Sequence, residues 1–339
     1  METLAQQIVP DKFYKPLPKG KIKCLLCRHY CELKEGQTGV CGVNKNEGGH
    51  LVNLVYGKVA ALNIDPIEKK PLYHFLPGTT ALSLGTVGCN MQCSFCQNWQ
   101  ISQDRSVRQK EFISPEQIVD LALKYQTKSI AFTYNEPTIF YPYARNIALE
   151  AKKHGLKSVF VTNGIESEEV VKDMPGIIDA ANVDFKAFDA DYYRRELKAP
   201  FTVRETLMLM KKVGLWIEVT TLIIPGINDA PEHLKKIADF IAQKLGTETP
   251  WHLSAFHPDY KMQDRSATPV MTLERAYDIG KKAGLDFVYI GNVGMKKNIT
   301  YCPHCHKALI ERLGYRVLSN RIIDGKCYNC HTKIPGIWN

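Results

Sequence analysis

Eleven cysteines fall into three tight groups, and that arrangement constrains this chain more than any other feature. Cys24, Cys27, Cys31 and Cys41 make an N-terminal four, and Cys302, Cys305, Cys327 and Cys330 a C-terminal four. Between them Cys89, Cys93 and Cys96 stand as C-x3-C-x2-C in GCNMQCSFCQN. The close C-x2-C spacings, and a polar, proline-punctuated start without a signal-peptide pattern, favour thiolates on metals in a reducing compartment over disulfides. Four thiolates close a tetrahedral site. Three thiolates can hold three corners of a four-iron cluster and leave the last iron open to a further ligand. The middle group is therefore the one expected to do chemistry.

The 339 residues, 45% of them hydrophobic, are enough for one large domain with appendages. The longest apolar runs, such as LWIEVTTLIIPGI, are too short and too polar to cross a bilayer, so a cytoplasmic protein without a membrane partner is expected. The formal charge is +9, but eleven thiolates, only partly offset by their metals, reduce it to an ordinary excess. With no basic tract interleaved with aromatics, nucleic acid is an improbable partner.

Residues 1–50 read as a small metal-knit module and 51–79 as connecting strands. From 80 to 297, apolar runs alternate with amphipathic stretches: SIAFTYN, KSVFVTN, NVDFKAF, LWIEVTTLII, PWHLSAF and DFVYIGN each precede or follow a helical pattern. Continuous apolar strands of this kind belong to parallel sheets covered on both faces. Ser114-Pro115-Glu116-Gln117 carries the signature of a helix start, with N-cap serine, proline at the first position and glutamine three residues on. Without a G-x-G-x-x-G fingerprint, the alternation predicts an α/β fold, a partial (β/α)6 barrel, rather than a dinucleotide-binding sheet. Residues 298–339 return to a cysteine-knuckle composition.

The three-cysteine loop follows the first barrel strand, where barrel enzymes keep their chemistry. Its spacing, with aromatic Phe95 before the last cysteine, resembles the radical S-adenosylmethionine (SAM) superfamily over roughly residues 80–295. That resemblance implies a [4Fe-4S] cluster on Cys89, Cys93 and Cys96 and SAM on its open iron. It implies reductive cleavage of SAM to a 5′-deoxyadenosyl radical, which takes hydrogen from a substrate, and a low-potential electron donor as partner. In Tyr134-Asn135-Glu136-Pro137 the superfamily usually has two glycines before the glutamate; Glu136 matches the residue that grips the methionine amino group, while Tyr134 and Asn135 depart from the pattern. Phe95 is expected against the base, Asn163 near the ribose, and Asp184, Lys186 and His257 resemble cofactor-holding positions of glycyl-radical-enzyme (pyruvate formate-lyase) activating enzymes. YNEPTI, DFKAFD, FHPDYKM and CYNCHTKIPGIW resemble the radical SAM member of the AmmeMemoRadiSam system, which implies AMMECR-type and Memo-type partners but no substrate. No residue is assigned as a catalytic acid, base or nucleophile.

The C-terminal C-x2-C pair of knuckles fits a zinc-ribbon-like site, with His304, His306 and His331 expected as bystanders. The N-terminal four is compatible with zinc or with a further iron–sulfur cluster. Two other functions compete with the SAM-cleaving oxidoreductase: an RNA-modifying radical SAM enzyme, and a non-catalytic iron–sulfur electron-transfer protein.

Overall fold

The computed structural model describes residues 7–106, 111–294 and 297–339. Its central element is an eight-stranded sheet whose strands follow one another in chain order. They are β1 (Ala61–Pro66), β2 (Thr80–Gly85), β3 (Ser129–Phe132), β4 (Lys157–Thr162), β5 (Ala180–Asp184), β6 (Trp216–Ile223), β7 (Trp251–Ala255) and β8 (Val288–Gly291). The α/β reading holds: β2, β3 and β4 pair in parallel, and so do β5, β6, β7 and β8. Every residue of β3 is buried, as are all but the first and fifth of β4 and all but the last of β5. Continuous burial is what strands covered on both faces require.

Strand β1 lies in the 51–79 segment read as connecting strands. It leaves Asn63 and Ile64 exposed, so ALNIDP carries neither an apolar run nor a clean period of two.

Two compact units divide the chain. One takes in the chain up to Ile64, Ala81–Asp179 and Asp189–Leu215; the other takes in Asp65–Thr80, Ala180–Phe188 and Trp216–Asn339. In the first unit, α1 (Pro115–Lys124) begins as its sequence predicts. Ser114 Oγ accepts from the Gln117 backbone N–H at 3.3 Å, and Gln117 Oε1 accepts from the Ser114 N–H at 2.8 Å. The two bonds satisfy donors that the first helical turn leaves unpaired. Helix α2 (Tyr141–Lys153) buries Tyr141, Ala144, Ile147, Ala148 and Ala151, one face at helical spacing. Helices α3 (Glu168–Asp173) and α4 (Val203–Lys212) complete this unit's main helices. Its N-terminal segment is a three-stranded antiparallel sheet with a separate hairpin, Asn44–Glu47 against His50–Asn53.

The second unit adds α5 (Pro231–Phe240) and α6 (Val270–Lys282) and ends in β9 (Lys297–Tyr301), β10 (Ala308–Leu313) and β11 (Arg316–Asn320), an antiparallel sheet. Cys302 and Cys327 share a buried cluster with Tyr73, Phe287, Tyr289, Leu309, Ile310 and Ile334. The knuckles are therefore packed on this unit's own core.

Candidate active site

The loop between β2 and α1 carries Cys89, Cys93 and Cys96. Cys89 and Cys93 are buried, Cys96 is partly exposed, and none of the eleven cysteines forms a disulfide. Burial pushes the Cys89 thiol well above its usual range, and the nearby Glu136 carboxylate and Cys93 add to the shift. A thiol in that state gives up its proton only when a cation takes its place, which is how metal binding couples to deprotonation.

The loop is held by side chains from the ends of β3 and β4. Asn135 Nδ2 donates to the Thr86 hydroxyl at 3.1 Å and to the Gly88 carbonyl at 2.9 Å, while its Oδ1 accepts from the Thr86 N–H at 3.2 Å. Asn135 thus fixes the backbone immediately before Cys89. Asn163 Nδ2 donates to Asn90 Oδ1 at 2.7 Å, fixing the residue just after it. Glu136 is fully buried and ties the two strand ends together. Its Oε1 accepts from the Thr138 N–H and hydroxyl at 3.0 and 2.6 Å and from the Thr162 hydroxyl at 2.9 Å; its Oε2 accepts from the Asn163 N–H at 2.8 Å. Burial raises the Glu136 carboxyl above its usual range, and these donors counteract it.

Tyr134 sits at φ +72°, a left-handed conformation that costs a bulky residue about 1–2 kcal/mol. Its carbonyl accepts from Asn98 Nδ2 at 2.8 Å. The backbone therefore keeps a glycine-like shape where the usual glycine is missing. Phe95 is buried within the same loop.

Of the remaining expected residues, Asp184, Lys186 and His257 lie in the second unit. Lys186 Nζ pairs with Asp184 Oδ2 at 2.7 Å. Asn228 anchors this pair's loop, donating from Nδ2 to the Lys186 carbonyl at 2.6 Å and to the Leu222 carbonyl at 2.8 Å. PGIND is thus a turn whose asparagine does positional work. His257 is exposed.

Glu166 escaped the sequence reading. It is fully buried, and neither carboxylate oxygen has a donor in full hydrogen-bonding geometry; the Thr162 hydroxyl and its own N–H give only partial relief. Burial, reinforced by Glu136, pushes its carboxyl up to about 8. A glutamate in TNGIES offers no pattern that distinguishes it from a surface residue; only the fold exposes its isolation.

In the second unit, the four C-terminal thiols all lie within 4.8 Å of one another. Cys302 to Cys330 is 3.6 Å and Cys305 to Cys327 is 3.7 Å. Thiolates at about 2.3 Å from one tetrahedral ion stand about 3.8 Å apart, so this set fits a single metal. Both knuckles close alike: the His306 N–H donates to the Cys302 carbonyl and the His331 N–H to the Cys327 carbonyl, each at 3.0 Å, with both histidines at positive φ. The histidines shape the turns, while the four cysteines form the ligand set.

The radical SAM superfamily model matches residues 83–241. An uncharacterized protein of Methanocaldococcus jannaschii is 43% identical over 328 residues, 95% of this chain and 97% of that protein. The pyruvate formate-lyase-activating enzyme of Clostridium pasteurianum is 21% identical over 197 residues, covering 53% of this chain and 81% of the enzyme. Among solved structures, a domain of the pyruvate-formate lyase-activating enzyme from Bacteroides vulgatus matches at 16% identity and a TM-score of 0.43, over 48% of this chain and 98% of that domain.

Proposed function

The chain belongs to the radical SAM superfamily, and from that membership we propose that it reductively cleaves SAM and draws a hydrogen atom from a substrate. The observation that carries this reading is the three-thiol loop locked on both sides by Asn135 and Asn163 and backed by buried Glu136. The donor set fits a cubane: three thiols on one short loop, not gathered to single-ion spacing among the described residues. Cys89, Cys93 and Cys96 would hold it.

A cluster held by Cys89, Cys93 and Cys96 would supply the low-potential one-electron reduction that this SAM-cleaving, hydrogen-abstracting chemistry needs. The chain's own residues orient and shield. Asn135 and Asn163 keep Cys89 in place from either side, and the Glu136 carboxylate, held by Thr138, Thr162 and the Asn163 N–H, would face an ammonium group of SAM. Burial around Glu136, Cys89 and Phe95 keeps water from the site.

The test is anaerobic reconstitution, reduction with dithionite and addition of SAM. Formation of 5′-deoxyadenosine, absent from the Cys89→Ala/Cys93→Ala/Cys96→Ala variant, is the expected result. A correctly reconstituted cluster that yields none would overturn the reading.

Similarity to a pyruvate formate-lyase-activating enzyme favours a protein substrate over a small molecule. AMMECR-type and Memo-type proteins are the first partners to test by pull-down, with a glycyl radical signal in the captured protein as readout. For the C-terminal site we propose zinc, which has no redox chemistry and suits a site with no open position.

A further inference from the structure

The N-terminal four cysteines belong to the first unit, as does the three-cysteine loop. Their thiol spacing separates them from the C-terminal four. Among the described residues, only the C-terminal thiols gather with all members within 4.8 Å. Neither Cys24, Cys27, Cys31 and Cys41 nor the three loop cysteines form such a group, although in each the cysteines stand close in sequence. The difference has a simple geometric origin. Around one ion every thiolate shares the same metal, so neighbouring sulfurs are close. On a cluster each thiolate has its own iron, and the iron–iron separation is added between them. Among the described residues, neither the N-terminal four nor the loop three gathers to the single-ion spacing that the C-terminal four shows.

Their placement adds a second argument. The Cys41 carbonyl lies 2.7 Å from the point where a Cβ on Gly88 would stand, and Gly88 directly precedes Cys89. From the other side, His29 Nε2 hydrogen-bonds the Asn90 carbonyl at 2.8 Å, and Asn90 directly follows Cys89. The Cys41 carbonyl on one side and the side chain of His29, two residues from both Cys27 and Cys31, on the other therefore flank the residues next to Cys89. Cys24, Cys27 and Cys41 are buried, whereas Cys31 is partly exposed. Cys31 is the exposed corner of the site, while Cys41 stands beside the loop.

We propose that Cys24, Cys27, Cys31 and Cys41 hold a second iron–sulfur cluster that relays electrons to the cluster on Cys89, Cys93 and Cys96. The relay role rests on the reading above; the cluster assignment does not. One electron from a low-potential one-electron donor, dithionite in the test, reduces the N-terminal cluster through its Cys31 side. The same electron then passes to the loop cluster, and the N-terminal cluster returns to its oxidised state.

The test is iron, sulfide and zinc analysis of the anaerobically reconstituted full chain, with electron paramagnetic resonance after dithionite reduction. The wild type is expected to hold about eight iron and about one zinc. The Cys89→Ala/Cys93→Ala/Cys96→Ala variant should keep about four iron and roughly half the integrated reduced-cluster signal. About four iron with about two zinc, and no iron in that variant, would overturn the second cluster and leave the proposed function standing. About four iron, fully retained by the variant, would support the N-terminal cluster and overturn the proposed function. No iron in either protein would overturn both. Should the triple variant fail to fold, Cys24→Ala/Cys27→Ala serves instead. It should lose about half of the wild-type iron, and retention of all of it would overturn the inference.

Discussion

Replacing Glu166 with glutamine should stabilise the protein, increasingly so as pH rises. The side chain is fully buried with no donor in full hydrogen-bonding geometry, and burial and Glu136 push its carboxyl from 4.5 up to about 8, against partial relief from the Thr162 hydroxyl and its own N–H. A carboxyl whose folded value lies above its unfolded value binds more protons in the folded state. It therefore costs stability, beginning as pH passes the unfolded value and levelling off above the folded one. At about 1.4 kcal/mol per unit, the cost is about 2 kcal/mol at pH 6, about 3 at pH 7 and about 5 at pH 9. These are upper figures, because water penetration and local relaxation reduce them. Glu166→Gln removes the titration and retains a neutral group of similar shape. Its advantage over wild type should therefore grow by about 2–3 kcal/mol between pH 6 and pH 9. Anaerobic guanidinium unfolding of both proteins, followed by tryptophan fluorescence at each pH, reads this directly. An advantage that stays flat with pH, or a variant that becomes the weaker protein at pH 9, would refute the reasoning, since either means that the fold accommodates an ionised Glu166.

Three other perturbations have expected outcomes. Gly88→Ala would put a methyl 2.7 Å from the Cys41 carbonyl and 2.8 Å from Val43 Cγ1, at φ +88°; the left-handed backbone alone costs about 1–2 kcal/mol, so iron content and 5′-deoxyadenosine formation should both fall. Cys302→Ser/Cys327→Ser should lose one bound zinc and open residues 298–339 to limited proteolysis, because structural zinc contributes about 10–16 kcal/mol of binding energy to small modules. Glu218→Gln should lower the thermal midpoint at neutral pH. That buried carboxylate accepts from the Tyr73 and His74 N–H groups at 3.0 and 2.8 Å and from His252 Nε2 at 2.6 Å, and an amide would set an NH2 against at least one of them, at about 1–3 kcal/mol. Burial, the largest influence, would raise Glu218, but His252, His74 and the Tyr73 N–H together outweigh it and hold the carboxyl below its usual range. Its stabilising contribution is accordingly lost as pH falls through that lowered value.

What could be read from the sequence was whatever depends on local pattern. SIAF and KSVFVT have apolar runs at their centres, Ile130–Phe132 and Val159–Val161, because both faces are covered, and that shows in the residues themselves. The Ser114–Gln117 cap closes within four residues, so it too is visible. The three cysteine groups are local by spacing. What stayed hidden depends on residues brought together from afar. Glu166 is exceptional only because no donor meets its carboxylate in full hydrogen-bonding geometry. Asn90 matters because Asn163, 73 residues away, reaches it. Glu218 did leave a signal, a lone acid in the apolar run LWIEVTTLII, which must find donors if the strand is buried; its donors are Trp216 in the same run and the distant residues 73, 74 and 252.

The Tyr134-Asn135 departure from the glycine pair shows what the motif encodes. Tyr134 retains the left-handed backbone at φ +72°, so what persists at this position is a turn shape that glycine adopts at least cost. Asn135 uses its side chain to bind Thr86 and the Gly88 carbonyl, a task no glycine can perform. The chain thus accepts the strain of a non-glycine turn at one position and gains at the next a bracket on the backbone that leads into Cys89. Strain that persists at a bulky residue marks a conformation fixed by its surroundings. Here those surroundings are Asn98 on the Tyr134 carbonyl and the paired bonds of Asn135, both reaching into the loop that carries the three thiols. The turn and the loop are therefore parts of one rigid frame, and a change in either should be felt first as a loss of metal rather than as a loss of fold.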